Sequence, residues 1–322
     1  MSGALVGVDL GGTLIRAAVA TGATTHGPLV RHPTPATGGP EAVLDAVAAA
    51  VREATGGETP GGVAIGIPGP LDPATGMVYT APNLAGWHDV AAGGMLRERV
   101  GSDIAVQNDA RLAGFAEWTA GAGRGTRHFI FMTASTGIGG GLVIGGELHA
   151  GTAGTAGELG HMIADPNGPG CTQGHRGCLE GIASGTGMVH RARLLLEGGA
   201  TSSLSAVPAD GLDARAIEDH ANAGDALARQ LFDDAGRALG LAIGGLINEL
   251  SPEVVAIGGG LSQAGDLLFA PLLAAVPDMA FAVPLSRCRI VPAQLGTDAG
   301  MVGAIAWAGR CFGPPPTAAS PP

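Results

Sequence analysis

The sequence contains no lysine; all 17 of its basic residues are arginine. Phosphate-binding schemes built on a Walker-type lysine are therefore excluded. Basic charge is also the minority, with a net charge of −11 and a pI of about 5.2. No basic stripe appears, which argues against nucleic acid as a partner. Cysteine is scarce: Cys171, Cys178, Cys288 and Cys311 are too few for a disulfide scaffold of this length. The opening Met-Ser-Gly-Ala-Leu lacks a basic export region, so a reduced cytoplasmic setting is expected. The longest uncharged run, from His128 to Gly146, is broken by glycines. It reads as two buried strands around a turn, not as a membrane span. Aromatics make up only 3% of the chain.

What the chain has instead is glycine, 57 of 322 residues, within a 46% hydrophobic composition. Close packing of small residues and frequent turns suit a globular α/β protein rather than a disordered one. The length exceeds one typical domain and predicts two lobes.

Residues 4–9 form a short apolar strand ending in Asp9, Gly11-Gly12 turn the chain, and 14–20 return. Glu41 to Ala54 has helical periodicity, and Val63 to Ile67 is a buried strand before the Pro68-Gly69-Pro70 loop. Residues 104–107 form a strand that leads through Asn108-Asp109 into a helix reaching about Trp118. A strand (128–132), a Gly/Thr-rich turn (133–141) and a returning strand (142–144) then repeat the opening shape, which predicts an internal duplication. Helical spacing follows over 182–197, 214–250 and roughly 298–311, with a buried strand over 254–257. The Pro- and Ala-rich tail, 313–322, is expected to be disordered.

Five segments carry candidate chemistry. In Asp9-Leu10-Gly11-Gly12-Thr13, the glycines let backbone approach phosphate oxygens, Thr13 offers a hydroxyl, and Asp9 can hold Mg²⁺ through water. A plain hairpin bend is the equal alternative. In the turn 133–141, hydroxyls and free N–H groups around Thr136, Gly137 and Gly139 suit a phosphate cradle. Asp109, at a strand's C-terminal end, lies where α/β folds bind ligands and could serve as a general base; a helix N-cap is the simpler reading. Gly157-Glu158-Leu159-Gly160-His161 and the stretch from Cys171 to Glu180 suggest a zinc knuckle flanked by two carboxylates, although only three ligands are clear. Gly258-Gly259-Gly260 after a strand could lie flat under an adenine ring or simply turn the chain.

Taken together and in this order, these segments resemble the ROK family of repressors and sugar kinases, in particular its kinases of the glucokinase type. The resemblance runs from Val6 to about Trp307 and also includes Gly66-Ile67-Pro68-Gly69-Pro70, Gly177-Cys178-Leu179-Glu180 and Asp298-Ala299-Gly300. It implies an actin-like ATPase (ribonuclease H-like) α/β fold, with two lobes around a central cleft. The expected division is a small lobe of 1–112 plus about 300–322 and a large lobe of 113–299.

By resemblance, Asp109 is the base that acts on the 6-hydroxyl of a hexose, glucose first, with N-acetylmannosamine or another hexose as the alternative. Asn83, Asn108, Asp109, Glu158, His161 and Glu180 match sugar-contacting positions. Asp9, Gly11, Gly12, Thr13, Thr136, Gly137, Gly139, Gly258 and Gly259 match positions toward ATP and Mg²⁺. A homodimer or homotetramer is implied, with no nucleic-acid or membrane partner.

The family's repressors carry a DNA-binding helix-turn-helix ahead of the Asp-x-Gly-Gly-Thr turn, which here starts at residue 9, so a repressor is not expected. A non-catalytic sugar-binding regulator is the reading from a different class. Two positions depart from the family pattern. Ser135 stands where glycine is more common. Gln173 replaces the middle cysteine of the family's Cys-x-Cys-Gly-x-x-Gly-Cys zinc loop, leaving His161, Cys171 and Cys178 as matching ligands. Either His175 substitutes for the missing ligand or the loop holds no zinc.

Overall fold

A computed structural model describes residues 3–171 and 173–314. The expected disorder of the tail lies, from residue 315 onward, outside the described residues. The chain forms two compact units. One comprises the chain through Gly125, Leu148–Ala156, and the chain from Thr297 onward; the other comprises Thr126–Glu147 and Gly157–Gly296.

The first unit begins with an antiparallel hairpin of Leu5–Leu10 (β1) and Leu14–Val19 (β2), extended by Val30–Pro33 (β3). Gly62–Ile67 (β4) pairs parallel to β1. Leu71–Asp72 (β5), Met77–Thr80 (β6) and His88–Val90 (β7) make a small antiparallel sheet that sequence periodicity does not show. Ile104–Asn108 (β8) then pairs parallel to β4, giving the sheet order β3-β2-β1-β4-β8.

Every residue of β4 is buried, as expected of a parallel strand covered on both faces. Gly39–Ala54 (α1) packs on β1 and β2, while the C-terminal helix Ala299–Phe312 packs on β1 and β4. In α1 the apolar residues Val43, Leu44, Val47 and Val51 recur at helical spacing and enter the core with Val6, Val8, Ile15 and Ile65. Ala92–Val100 (α2) packs on α1. Asp109–Ala120 (α3) lies against the C-terminal helix, where the rings of Phe115 and Trp307 meet edge-on at 5.1 Å. The seam expected after residue 112 would fall inside α3, and this helix belongs whole to the first unit.

The second unit repeats the plan. Phe129–Ala134 (β9) and Ile138–Ile144 (β10) form an antiparallel hairpin edged by Glu147–Leu148 (β11). Val254–Gly258 (β12) pairs parallel to β9, and Arg289–Pro292 (β13) parallel to β12. The order β11-β10-β9-β12-β13 is that of the first sheet, so the duplication expected from the two glycine turns is a duplication of topology.

The helical stretches are divided more finely than their periodicity indicates. Residues 182–197 fall in Leu179–Ala183 (α4) and Gly185–Glu197 (α5), separated by Ser184, whose hydroxyl accepts from the Gly187 N–H and caps α5. Residues 214–250 split into Ala214–Asn222 (α6) and Ala226–Leu250 (α7), where Gly224 turns left-handed at φ 97 and Asp225 caps α7. Asp266–Ala275 (α8) packs along α7, and Ala282–Leu285 (α9) follows. Among the described residues, no helix is long and apolar enough to cross a membrane.

Candidate active site

The turn after β1 is closed by the Gly11 N–H donating to the Leu14 carbonyl at 2.9 Å. Thr34 braces it, its N–H on the Thr13 carbonyl at 3.0 Å and its hydroxyl on the Gly11 carbonyl at 2.7 Å. A side chain at residue 12 would meet Asn83, whose Cβ and carbonyl lie 3.2 Å from the position of a Cβ there, so Gly12 and Asn83 are neighbours. Thr13 and Asn83 are exposed at this turn.

Asp9 is held more firmly than its sequence position suggests. It lies opposite Arg16 in the hairpin, and its Oδ2 accepts from Arg16 Nε at 2.9 Å and from Nη2. Arg16 Nη1 donates to the Thr297 carbonyl at 3.0 Å. A Cβ on Gly300 would stand 3.0 Å from the Asp9 carboxyl carbon, so the glycine of Asp298-Ala299-Gly300 makes room for this carboxylate at the first turn of the C-terminal helix. The positive end of that helix favours an anion there.

At the end of β8, the simpler reading falls to the neighbour of the candidate base. Asn108, not Asp109, is the N-cap: its Oδ1 accepts from the Arg111 N–H at 3.0 Å, and its Nδ2 donates to the Gly69 carbonyl at 3.1 Å. The buried Gln107 Oε1 accepts from the Asn108 N–H and from Arg111 Nη1, both at 2.9 Å. Asp109 is half-buried, and its Oδ1 accepts from the Ala110 N–H at 2.7 Å. The carboxylate is thus carried on a strand end whose neighbouring groups are fixed in the core.

In the second unit, the turn between β9 and β10 is closed by the Ser135 N–H on the Gly137 carbonyl at 2.9 Å. Thr136 is exposed; Gly137 and Gly139 are half-buried. The capped start of α5 docks on this turn. Gly185 and Thr186 donate N–H groups to the Ser135 and Thr136 carbonyls at 2.7 and 3.2 Å, and the Thr186 hydroxyl reaches the Thr136 carbonyl at 2.8 Å. Glu180 joins them, its Oε2 accepting from the Ile138 N–H at 3.1 Å and covering the space that a Gly137 side chain would need.

The glycines after β12 differ from one another. Gly258 is buried, with Phe131 and Ala293 where its Cβ would be. Gly259, at φ 87, presses against the Ala134 carbonyl. Packing alone therefore explains both, whereas Gly260 is exposed, with only the Ser135 hydroxyl near, 3.8 Å from where a Cβ would be.

Glu158 is half-buried and precedes a short 3₁₀ turn, Leu159–His161. The His161 Nδ1 lies 3.1 Å from His175 Nδ1 and 3.9 Å from Cys171 Sγ. These three side chains converge with their donor atoms all within 4.8 Å of one another. Cys178, expected with His161 and Cys171, is buried just outside that trio, its Sγ 3.8 Å from the His175 carbonyl.

Sequence reasoning missed Arg16, Thr34 and the Ser184–Thr186 helix start. Arg16 was available, since it stands as far after the turn's midpoint as Asp9 stands before it. Thr34 arrives from a strand whose pairing no local pattern shows.

Two sheets of one topology, each opening on a glycine turn, define an actin-like ATPase fold with two domains. The family model described as "ROK family" matches residues 5–310. The glucokinase of Thermotoga maritima is 38% identical over 306 residues, covering 93% of this chain and 95% of that protein. The ROK hexokinase from Thermus thermophilus superposes with a TM-score of 0.80 at 35% identity, over 94% of this chain and 96% of that one. A ROK family glucokinase from Streptomyces griseus, solved in complex with glucose and AMPPNP, gives a TM-score of 0.77 at 33% identity, over 96% and 100% of the two chains. The chain belongs to the ROK family.

Proposed function

We propose that the protein is an ATP-dependent hexose kinase that transfers the γ-phosphoryl group to the 6-hydroxyl of glucose. The observation that carries this reading is the placement of Asp109: a half-buried carboxylate at the C-terminal end of a parallel strand, on a helix start fixed by Asn108, Gln107 and Arg111. The similarity to glucokinases, one of them seen with glucose and a nucleotide analogue, supports both substrates.

In this mechanism Asp109 orients the 6-hydroxyl and takes its proton as the oxygen attacks the γ-phosphorus in line. Asn83, Asn108, Glu158, His161 and Glu180 hold the remaining sugar hydroxyls. Backbone N–H groups of the two glycine turns, at Gly12 and Thr13 and at Thr136 and Gly137, offset charge on the phosphoryl oxygens, while those of Gly11 and Ile138 hold the turns closed on Leu14 and Glu180; this suits a chain without lysine. Asp9, whose Oδ2 also accepts from Arg16, would hold Mg²⁺, and the ion would supply charge neutralisation at the phosphates. Gly259, with the exposed Gly260 beside it, offers backbone toward the adenine. Glycines 258 and 259 also have packing reasons, so their part is the least specific. The same reading makes the enzyme a cytoplasmic homo-oligomer.

ADP release measured across a panel of hexoses and amino sugars tests the proposal. Glucose is expected to give the highest kcat/KM. A higher value for N-acetylmannosamine would move the substrate assignment, and no sugar-dependent ADP release would leave a binding regulator.

A further inference from the structure

The geometry points to His175 as a zinc ligand that takes the place vacated by the cysteine-to-glutamine change at residue 173, so that the loop binds zinc through His161, Cys171, His175 and Cys178. The residues present fit the ion. Zinc takes imidazole nitrogen at about 2.0–2.1 Å and thiolate at about 2.3 Å in a tetrahedron, which sets ligand edges of roughly 3.3 Å between nitrogens and roughly 3.6 Å from nitrogen to sulfur. The two Nδ1 atoms stand 3.1 Å apart and the His161 Nδ1 to Cys171 Sγ distance is 3.9 Å, each within a few tenths of an ångström of such an edge. The imidazole rings meet edge-on at 73° with centroids 4.7 Å apart, turning both Nδ1 atoms to the same place.

The backbone explains why residue 175 arrives there and residue 173 does not. The Cys171 N–H donates to the His175 carbonyl at 2.9 Å, and the Gly174 N–H to the Cys171 carbonyl at 3.0 Å. Gly174 supplies the left-handed corner at φ 83, and Gly170 bridges to Arg176. In this small hairpin Cys171 and His175 stand side by side, while Gln173 sits exposed at the bend. A glutamine amide is a poor zinc ligand beside imidazole and thiolate donors.

Cys178 is the N-cap of α4, and its Sγ lies 3.8 Å from the carbonyl of His175, at the edge of the trio. It therefore completes the set from the element that carries Glu180, whose carboxylate rests on the β9–β10 turn. His161 closes the 3₁₀ turn that begins after Glu158. An ion at this set would tie together the segments bearing Glu158 and Glu180. Metal binding itself stands whether or not the chain phosphorylates glucose.

The test is metal content of the full-length protein after reconstitution with Zn²⁺ and dialysis, read by elemental analysis, together with the absorption spectrum after exchange with Co²⁺. Wild type is expected to retain about one zinc per chain and to show tetrahedral cobalt bands with thiolate charge transfer. His175→Ala should lose zinc severalfold more readily than Gln173→Ala. His175→Cys should regain it with a stronger thiolate band, a recovery that repair of a misfolded loop by a smaller residue would not produce. The inference is overturned if reconstituted wild type holds no zinc, if folded His175→Ala holds as much as wild type, or if Gln173→Ala loses as much as His175→Ala. If His175→Ala fails to fold, the His175→Cys content and the wild-type cobalt spectrum decide: no zinc in the first, or no thiolate band in the second, overturns it.

Discussion

Arg16 grips Asp9 directly across the β1–β2 hairpin, both Nε and Nη2 on the same carboxylate oxygen, while Nη1 anchors the guanidinium on the Thr297 carbonyl. The arginine thus fixes where the Asp9 charge sits at the glycine turn. Charge-assisted hydrogen bonds of this kind contribute about 1.5–3 kcal/mol. Arg16→Met should lower kcat by roughly ten- to a hundredfold if that energy is used at the phosphates. Arg16→Lys keeps the charge but not the fork, and should fall in between. Steady-state kinetics at saturating Mg²⁺ check this; wild-type kcat in Arg16→Met would remove Asp9 from the site.

Gly300 acts on the same carboxylate from the other side. A methyl group there would crowd Asp9 at 3.0 Å. Alanine improves helix propensity by about 1 kcal/mol over glycine, which offsets part of the crowding. Gly300→Ala should therefore change Tm little while lowering kcat on the order of tenfold or more, because small misplacements at a reacting centre are costly. Combined with Arg16→Met the losses should be less than additive, since both act through Asp9.

Glu180 has two tasks that substitution can separate. Gln keeps an acceptor for the Ile138 N–H but gives up the charge; Ala gives up both. Glu180→Gln should raise the KM for glucose with little change for ATP. Glu180→Ala should raise both, because the turn at residues 136–138 loses its support. Equal effects of the two variants on ATP would separate Glu180 from the turn.

Asp225 links stability to acid pH. Burial alone would raise its carboxyl, but N–H donors from Ala228 and Ser203 and the hydroxyls of Ser203 and Ser202 outweigh burial and hold it at about 2. Its unfolded value is near 3.9. A carboxylate depressed in the folded state stabilises fully above its unfolded value and loses that contribution as pH falls toward about 2. Asp225→Asn should unfold more easily at pH 7 and show a shallower loss of stability over that acid window, measured by denaturant titration.

Much of this arrangement is legible in the sequence, for identifiable reasons. The two hairpins show because a short apolar strand, a glycine bend and a return are all local. Asp109 shows because a polar pair interrupts a strand-to-helix run, although which of the pair caps the helix depends on side-chain geometry. The breaks at Ser184 and Gly224 are masked by apolar spacing that continues across them. The convergence of His161, Cys171 and His175 depends on how the 171–175 hairpin closes and on where the chain has carried residue 161, which spacing along the sequence does not record.

The central claim is that Asp109 is the base, and Asp109→Asn tests it most directly. Asparagine keeps the side chain's shape and can still accept from the Ala110 N–H. With the far-UV circular dichroism of the wild type, the variant should lose on the order of 10²–10⁴ in kcat, with the KM values for glucose and ATP changed by no more than a small factor. A folded Asp109→Asn protein that keeps more than about a tenth of wild-type kcat would contradict the account, since loss of a well-placed base costs more than that.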